Sequence, residues 1–76
     1  MKWRMPKLRR VSGAEAIRAL EHLGFKQLRH KGSHVILKKG EQGCVVPLHD
    51  DLAIGTLRGI LRQAGVTPDE FNAALE

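Results

Sequence analysis

The sequence predicts an α+β fold in which helices cover one face of a three-stranded antiparallel sheet. Two observations predict it: amphipathic helical patterns lie at both ends of the chain, and three short extended segments lie between them. The links between these segments are hairpin-short, which favours antiparallel pairing. Helices on one face would bury the apolar stripes of both layers and leave the other face of the sheet free.

The first helix is predicted over residues 13–23. Ser12 precedes it and Glu15 follows three residues later, which is the pattern of a capping box. The apolar side chains of this helix recur at helical spacing: Ala16, Ile17, Leu20 and Leu23. Gly24 is expected to end the helix in the left-handed conformation, with Phe25 packing back on Leu20.

The three strands follow in close succession. They are predicted over residues 25–30, 33–38 and 44–46, with turns at Lys31-Gly32 and over residues 39–43, and with Pro47 ending the third strand. In the second strand Val35 and Leu37 alternate with more polar positions. His34 is therefore expected on the less apolar face, toward solvent or a groove.

Two further helices are predicted after a loop over residues 47–51. The second helix begins near Ala53 or Gly55 and ends at Ala64, with Gly65 as its cap. Thr67-Pro68-Asp69-Glu70 then opens a short third helix with a capping box and a proline at its first position. The order helix, three strands, helix, short helix matches that of double-stranded RNA-binding domains.

Length and composition limit the class of protein. Seventy-six residues make one domain, predicted over residues 11–76, preceded by a basic flexible arm over residues 1–10. The single cysteine, Cys44, allows neither an internal disulfide nor a cysteine-based metal cluster. No signal peptide or membrane-spanning segment is evident, so a cytoplasmic location and no membrane partner are expected.

The charge of the chain favours a polyanionic partner. Thirteen lysines and arginines against eight acids give a formal net charge of +5 and a pI near 10.0. The cations crowd the first ten residues and the glycine turn at Gly32, while the acids lie elsewhere. This segregation predicts a cationic face, which suits RNA, although an acidic protein partner would also fit.

The segment Lys31-Gly32-Ser33-His34 carries the candidate chemistry. An imidazole gains or loses a proton near neutral pH, so His34 can act as general acid or base on a phosphodiester. RNA supplies its own nucleophile for such a reaction, the 2′-hydroxyl beside each phosphate. The alternative interpretation is an exposed histidine at the end of a strand, with no catalytic role.

Neighbouring residues would support the reaction in distinct ways. Arg29, Lys31 and Lys38 are candidates for phosphate binding, and Gly32 would let an RNA backbone approach closely. Ser33 either donates to a phosphate oxygen or faces the core, since its alternation permits both. Arg58 joins them only if its end of the second helix lies nearby. His49 is a possible second proton-transfer group, with an orienting or structural role equally open.

No metal or other cofactor is expected. The four histidines have no spacing that would pair two of them on one helix. Asp50 and Asp51 near His49 are better explained as an acidic cap of the following helix than as cation ligands.

Taken together, these residues resemble the HicA toxin family, mRNA interferases of type II toxin–antitoxin pairs. The resemblance runs from about Ser12 to Phe71, and its motifs are Ser12-Gly13, Leu23-Gly24-Phe25, Lys31-Gly32-Ser33-His34, Val46-Pro47-Leu48-His49 and the run from Gly55 to Gly65. It implies a double-stranded RNA-binding-like fold, ribosome-independent cleavage of mRNA, and inhibition by a cognate HicB antitoxin. The family's essential histidine falls on His34, with Gly32 also matching. The basic arm is longer than in many members, and Lys31 stands where arginine is often found.

Two rival functions use the same residues. A non-catalytic RNA-binding module on this fold would need the cations but not the proton transfer of His34. A protein-interaction subunit would use the cationic face to dock an acidic partner.

Overall fold

The structure, a computed structural model, describes residues 8–75. Its elements are α1 (Gly13–His22), β1 (Lys26–Lys31), β2 (His34–Lys39), β3 (Gln42–Pro47), α2 (Ile54–Ala64) and α3 (Pro68–Ala74). The α+β fold class, the order of elements and the short C-terminal helix are confirmed. Residues 1–7, which make up most of the predicted arm, lie outside the described residues.

The three strands form one antiparallel sheet in the order β1-β2-β3. Both hairpins turn on a glycine with positive φ, Gly32 at 61° and Gly40 at 58°, a conformation that a side chain disfavours. Each hairpin therefore closes in a few residues, and the strands pair with their sequence neighbours.

The helices pack on one face of the sheet only. That face consists of Val35 and Leu37 from β2 and Cys44 and Val46 from β3, all of them buried. Burial also raises the pKa of the Cys44 thiol to about 11, because the thiolate would lose its hydration. This residue is therefore an apolar part of the core.

The helix ends follow the predicted patterns. The Ser12 hydroxyl accepts from the Glu15 backbone N–H, and the Glu15 carboxylate accepts from the Ser12 backbone N–H, at 3.0 and 2.8 Å. Thr67 and Glu70 repeat this capping box at α3. At the other end of α1, Gly24 adopts φ 102° and the Phe25 N–H donates to the carbonyl of Leu20, so the chain leaves α1 in a Schellman turn.

Several boundaries differ from the prediction, by one residue in α1, β1 and β2 and by two residues at the start of β3, and one predicted cap is absent. The strand β3 begins earlier, at Gln42, and includes Pro47, which pairs with His34. A proline is tolerated there because β3 is an edge strand and its last residue need not donate to the ladder. The expected acidic cap of α2 is wrong: Ala53 occupies the cap position without a side-chain hydrogen bond, and Asp51 instead holds Arg10 through two 3.1 Å contacts.

The segment before α1 is attached to the domain. Leu8 is only 8% exposed and belongs to the core, and Val11 accepts a backbone hydrogen bond from Leu52. These contacts, with the Arg10–Asp51 pair, tie residues 8–11 to the loop before α2. Within residues 8–75, no helix has the length and apolar character that crossing a bilayer requires.

Candidate functional site

The β1–β2 hairpin brings His34 and Lys31 face to face. These two residues are direct cross-strand partners, and both are exposed. Side chains opposed in this way have Cβ atoms about 4.5–5.5 Å apart. On its other side His34 pairs with Pro47 of β3, so the imidazole lies at the turn end of the central strand.

A β-bulge decides which cations share the face of His34. Pairing is regular up to Gln27 with Leu37 and resumes with Arg29 opposite Ile36, so Leu28 is an extra residue in β1. Strict alternation from the buried Phe25 would turn Arg29 and Lys31 toward the helices. The extra residue reverses that alternation, and both side chains lie instead on the face of His34.

This face of the sheet, which carries no helix, is called the open face below. It is formed by Lys26, Arg29 and Lys31 of β1, His34, Ile36 and Lys38 of β2, and Gly43, Val45 and Pro47 of β3. None of these residues is acidic, whereas four are lysine or arginine: Lys26, Arg29, Lys31 and Lys38. Lys26 and Val45 were not among the predicted site residues, although each adjoins a buried residue in sequence and alternation indicates the open face for both.

The two lysines at the end of β2, Lys38 and Lys39, lie on different sides of the sheet and make different contacts. Lys38 lies on the open face, opposite Lys26. The ammonium of Lys39 instead donates to the carbonyl of Leu23 at 2.7 Å, and it lies 6.0 Å from the centre of the Phe25 ring. Lys39 therefore satisfies the C-terminal end of α1 and complements its dipole.

The turn residues of the predicted motif are accessible. Gly32 has no neighbouring atom within 4 Å of the point where a side chain would begin, so a large ligand can approach its backbone. Ser33 precedes β2 rather than lying within it, and it is exposed. Its carbonyl accepts a 2.7 Å hydrogen bond from the backbone N–H of Leu48, which fixes the turn against the loop after β3.

That loop is in turn fixed to the start of α1. The Gly13 N–H donates to the carbonyl of His49 at 2.8 Å, and a Cβ at position 13 would overlap the carbonyl oxygen of Pro47. The Ser12-Gly13, Gly32-Ser33-His34 and Pro47-Leu48-His49 segments, far apart in sequence, thus form one contiguous corner. His49 is exposed at this corner.

Arg58 is not brought to the open face. It lies in the helical layer, beside a hollow of about 240 Å³ that Leu8, Leu61, Arg62, Val66 and Pro68 also line. Arg58 and the side chains of the open face therefore contact solvent on different sides of the sheet.

The other two histidines also lie apart from His34. His30 pairs with Val35, so it lies on the helical side of β1 and lines a groove of about 290 Å³ against α1. The Nδ1 atom of His22 is 3.2 Å from the carbonyl oxygen of Ala74, joining α1 to α3. Over residues 8–75, no group of three or more histidine, cysteine or acidic side chains is arranged to hold a metal ion.

The comparisons with known proteins address the identity of this chain. The family model described as the HicA toxin of bacterial toxin–antitoxin systems matches residues 13–66. The matched segment contains the whole sheet, α1, α2 and the corner at His34. No curated protein matches the chain. Because the family model covers more than half of the chain, the chain belongs to the HicA toxin family.

Proposed function

We propose that this toxin is an RNA endonuclease that cleaves mRNA with His34 as general base or acid. The observation that carries the proposal is the composition of the open face: one imidazole among four fixed cations, with no carboxylate to compete for them. Such a surface attracts a polyanion and offers it a group that exchanges protons near neutral pH.

The reaction needs no external nucleophile. Neutral His34 removes the proton of a 2′-hydroxyl, and the 2′-oxygen attacks the adjacent phosphorus. The bond from phosphorus to the 5′-oxygen breaks, and that oxygen receives a proton from the imidazolium or from water. The products are a 2′,3′-cyclic phosphate and a 5′-hydroxyl, and the proton count balances. Since the nucleophile is part of the substrate, the proposal requires neither a metal-bound water nor a cofactor.

The cations would stabilise the charge that develops on the phosphoryl oxygens. Lys31 lies directly opposite His34, and Arg29 lies one diagonal step away, which is about 7–8 Å between side-chain positions. Lys38 would hold a phosphate farther along the strand. Gly32 leaves the backbone accessible, and the exposed hydroxyl of Ser33 is available as a further donor.

The test compares His34→Ala with His30→Ala. Both histidines are exposed in the same hairpin, but they lie on opposite faces of the sheet. Loss of a general base typically costs about 10²–10⁴-fold in rate, so His34→Ala should abolish measurable cleavage by the purified protein. Its RNA affinity should stay within about threefold. Expression of His30→Ala in bacteria should still arrest growth and degrade transcripts.

The opposite result would identify a different protein function. If His34→Ala protein arrests growth as strongly as the natural chain while transcripts stay intact, the protein is an RNA-binding module without catalysis. The role of the 2′-hydroxyl as nucleophile gives a second check. RNA with a 2′-deoxy substitution at the cleaved position should resist the enzyme, and its cleavage would contradict the mechanism.

The family implies a cognate antitoxin partner. We propose that this partner is of the HicB type and that it blocks RNA cleavage in the cytoplasm, where the mRNA substrate lies. Adding the purified partner to the cleavage reaction should abolish it at a saturating ratio. Undiminished cleavage at that ratio would show that the added protein is not the inhibitor.

A further inference from the structure

The open face also carries an apolar strip that the cleavage mechanism does not use. Ile36 lies at its centre, and Val45, which pairs with Ile36, is 41% exposed. Ile36 is partly exposed. Both are apolar side chains on a surface otherwise rich in charge, and no helix of the described chain covers them.

The strip crosses the strands, whereas the cations Arg29 and Lys31 follow one another along β1: Arg29, Ile36 and Val45 lie side by side across the sheet. Arg29 and Lys31 are two residues apart on β1, which separates them by about 6.6 Å along the strand. That spacing is comparable to the distance between successive phosphates of an extended RNA strand. Ile36 lies one strand spacing from Arg29, about 4.8 Å, and Val45 lies one strand farther. A single strand with its backbone along β1 would lay the base beside Arg29 across Ile36 and Val45.

We infer that the open face takes unpaired RNA, with phosphates on the β1 cations and bases against Ile36 and Val45. The inference rests on the proposed function and adds the substrate class. A duplex fits poorly, because its base faces are stacked inside the helix and cannot cover an apolar strip. A duplex also holds each 2′-oxygen away from the line of attack on phosphorus, whereas an unpaired strand can rotate into it.

The aliphatic character of the apolar strip also limits the preference of the protein for particular RNA sequences. Both described phenylalanines, Phe25 and Phe71, are buried, so no phenylalanine ring among residues 8–75 is available to stack on a base. Aliphatic side chains contact any base by packing, without reading its hydrogen-bonding edge. Selection of unpaired segments, rather than of a defined sequence, is the expected consequence.

Binding tests the inference separately from catalysis. In the His34→Ala protein, which is expected to leave RNA intact, affinity is measured by fluorescence anisotropy for one labelled strand, alone and annealed to its complement. The unpaired strand should bind at least about tenfold more tightly. Equal or tighter binding of the duplex, or binding of neither, would overturn the inference. Failure of the natural chain to cleave would instead count against the proposed function.

A second comparison locates the contact. Val45→Ser removes apolar surface from the open face, whereas Leu48→Ser removes a similarly exposed side chain, 37% accessible, that lines the groove against α1. We expect Val45→Ser to weaken binding of the unpaired strand by about threefold to tenfold and to leave duplex binding unchanged. Leu48→Ser should change neither. Unchanged affinity in Val45→Ser would exclude bases from this strip and overturn the inference.

Discussion

The corner that supports His34 depends on a residue with no side chain. The backbone N–H of Gly13 bonds the carbonyl of His49, and the Pro47 carbonyl occupies the position where a Cβ would stand. The start of α1 and the end of β3 can approach this closely only with glycine at position 13. The glycine of the Ser12-Gly13 motif therefore has a packing role as well as a place in the helix cap.

Gly13→Ala should destabilise the protein. The added methyl group must push the loop after β3 away from α1, and overpacking of this kind costs about 1–3 kcal/mol. Chemical denaturation measures the loss directly. The control is Gly59→Ala, within α2, where a Cβ meets no atom within 4 Å. That change should stabilise the protein by up to about 1 kcal/mol, because alanine favours a helix more than glycine does. Equal stability of Gly13→Ala and the natural chain would contradict the packing argument.

At the scale of the element, the helix ends could be predicted from the sequence because their signals are local. The capping boxes of Ser12 with Glu15 and of Thr67 with Glu70 each lie within four residues, and glycine follows both α1 and α2. The alternation of Val35 and Leu37 likewise indicated the face of His34, since β2 is regular.

The bulge in β1 could not be predicted in this way. Nothing in the sequence around Leu28 distinguishes an extra residue from a paired one, because the register is set by the partner strand and by the turn at Gly32. The contributions of Lys26 and Val45 to the open face, by contrast, follow from alternation with their apolar neighbours and could have been predicted. His34, the proposed general base or acid, was identifiable from its local motif, but the positions of Arg29 and Lys31 beside it required the paired sheet.

The two capping boxes predict a dependence of stability on pH. The backbone N–H of Ser12 lowers the pKa of Glu15, and that of Thr67 lowers the pKa of Glu70, each from the ordinary value of 4.5. A carboxyl with a lower pKa in the folded state contributes stability that is complete above the ordinary value and is lost as pH falls through the lowered one. The denaturant concentration at the midpoint of unfolding should therefore decrease as the pH falls below about 4.5.

A double variant isolates these two carboxyls from the others. Glu15→Gln with Glu70→Gln keeps an amide oxygen that can accept the same backbone hydrogen bonds, so both capping boxes can persist. The ordinary pKa of glutamate lies within the range from about pH 5 to about pH 3. Over that range the double variant should lose less stability than the natural chain. If its pH profile matches that of the natural chain, other groups are responsible for the acid sensitivity.

For the whole molecule, the layout of charge separates two surfaces. The open face has cations without acids, whereas the helical layer mixes both signs: Arg10 pairs with Asp51, and Glu15 lies near Arg18. Among residues 8–75, the four cations of the open face therefore have no acidic neighbour on the same face of the sheet. Such an asymmetry steers a polyanion to the side that carries His34.

The salt dependence of RNA binding measures how many of these cations contact phosphate. Each contact to a single strand contributes about −0.7 to the slope of log affinity against log salt concentration, so four contacts predict a slope of about −3. The measurement uses the His34→Ala protein, which is expected to leave the RNA intact. Arg29→Gln in that background should reduce the slope by about 0.7 and weaken binding at low salt.

Arg58→Gln supplies the matched control, because it removes the same charge from an exposed arginine of the helical layer. A general effect of net charge would make the two variants alike, whereas phosphate contact on the open face would lower the slope only for Arg29→Gln. An equal loss in both would contradict the single-face arrangement, because the slope would then not report phosphate contacts particular to the open face. The difference between the two slopes therefore decides whether the strand bound at His34 follows the sheet.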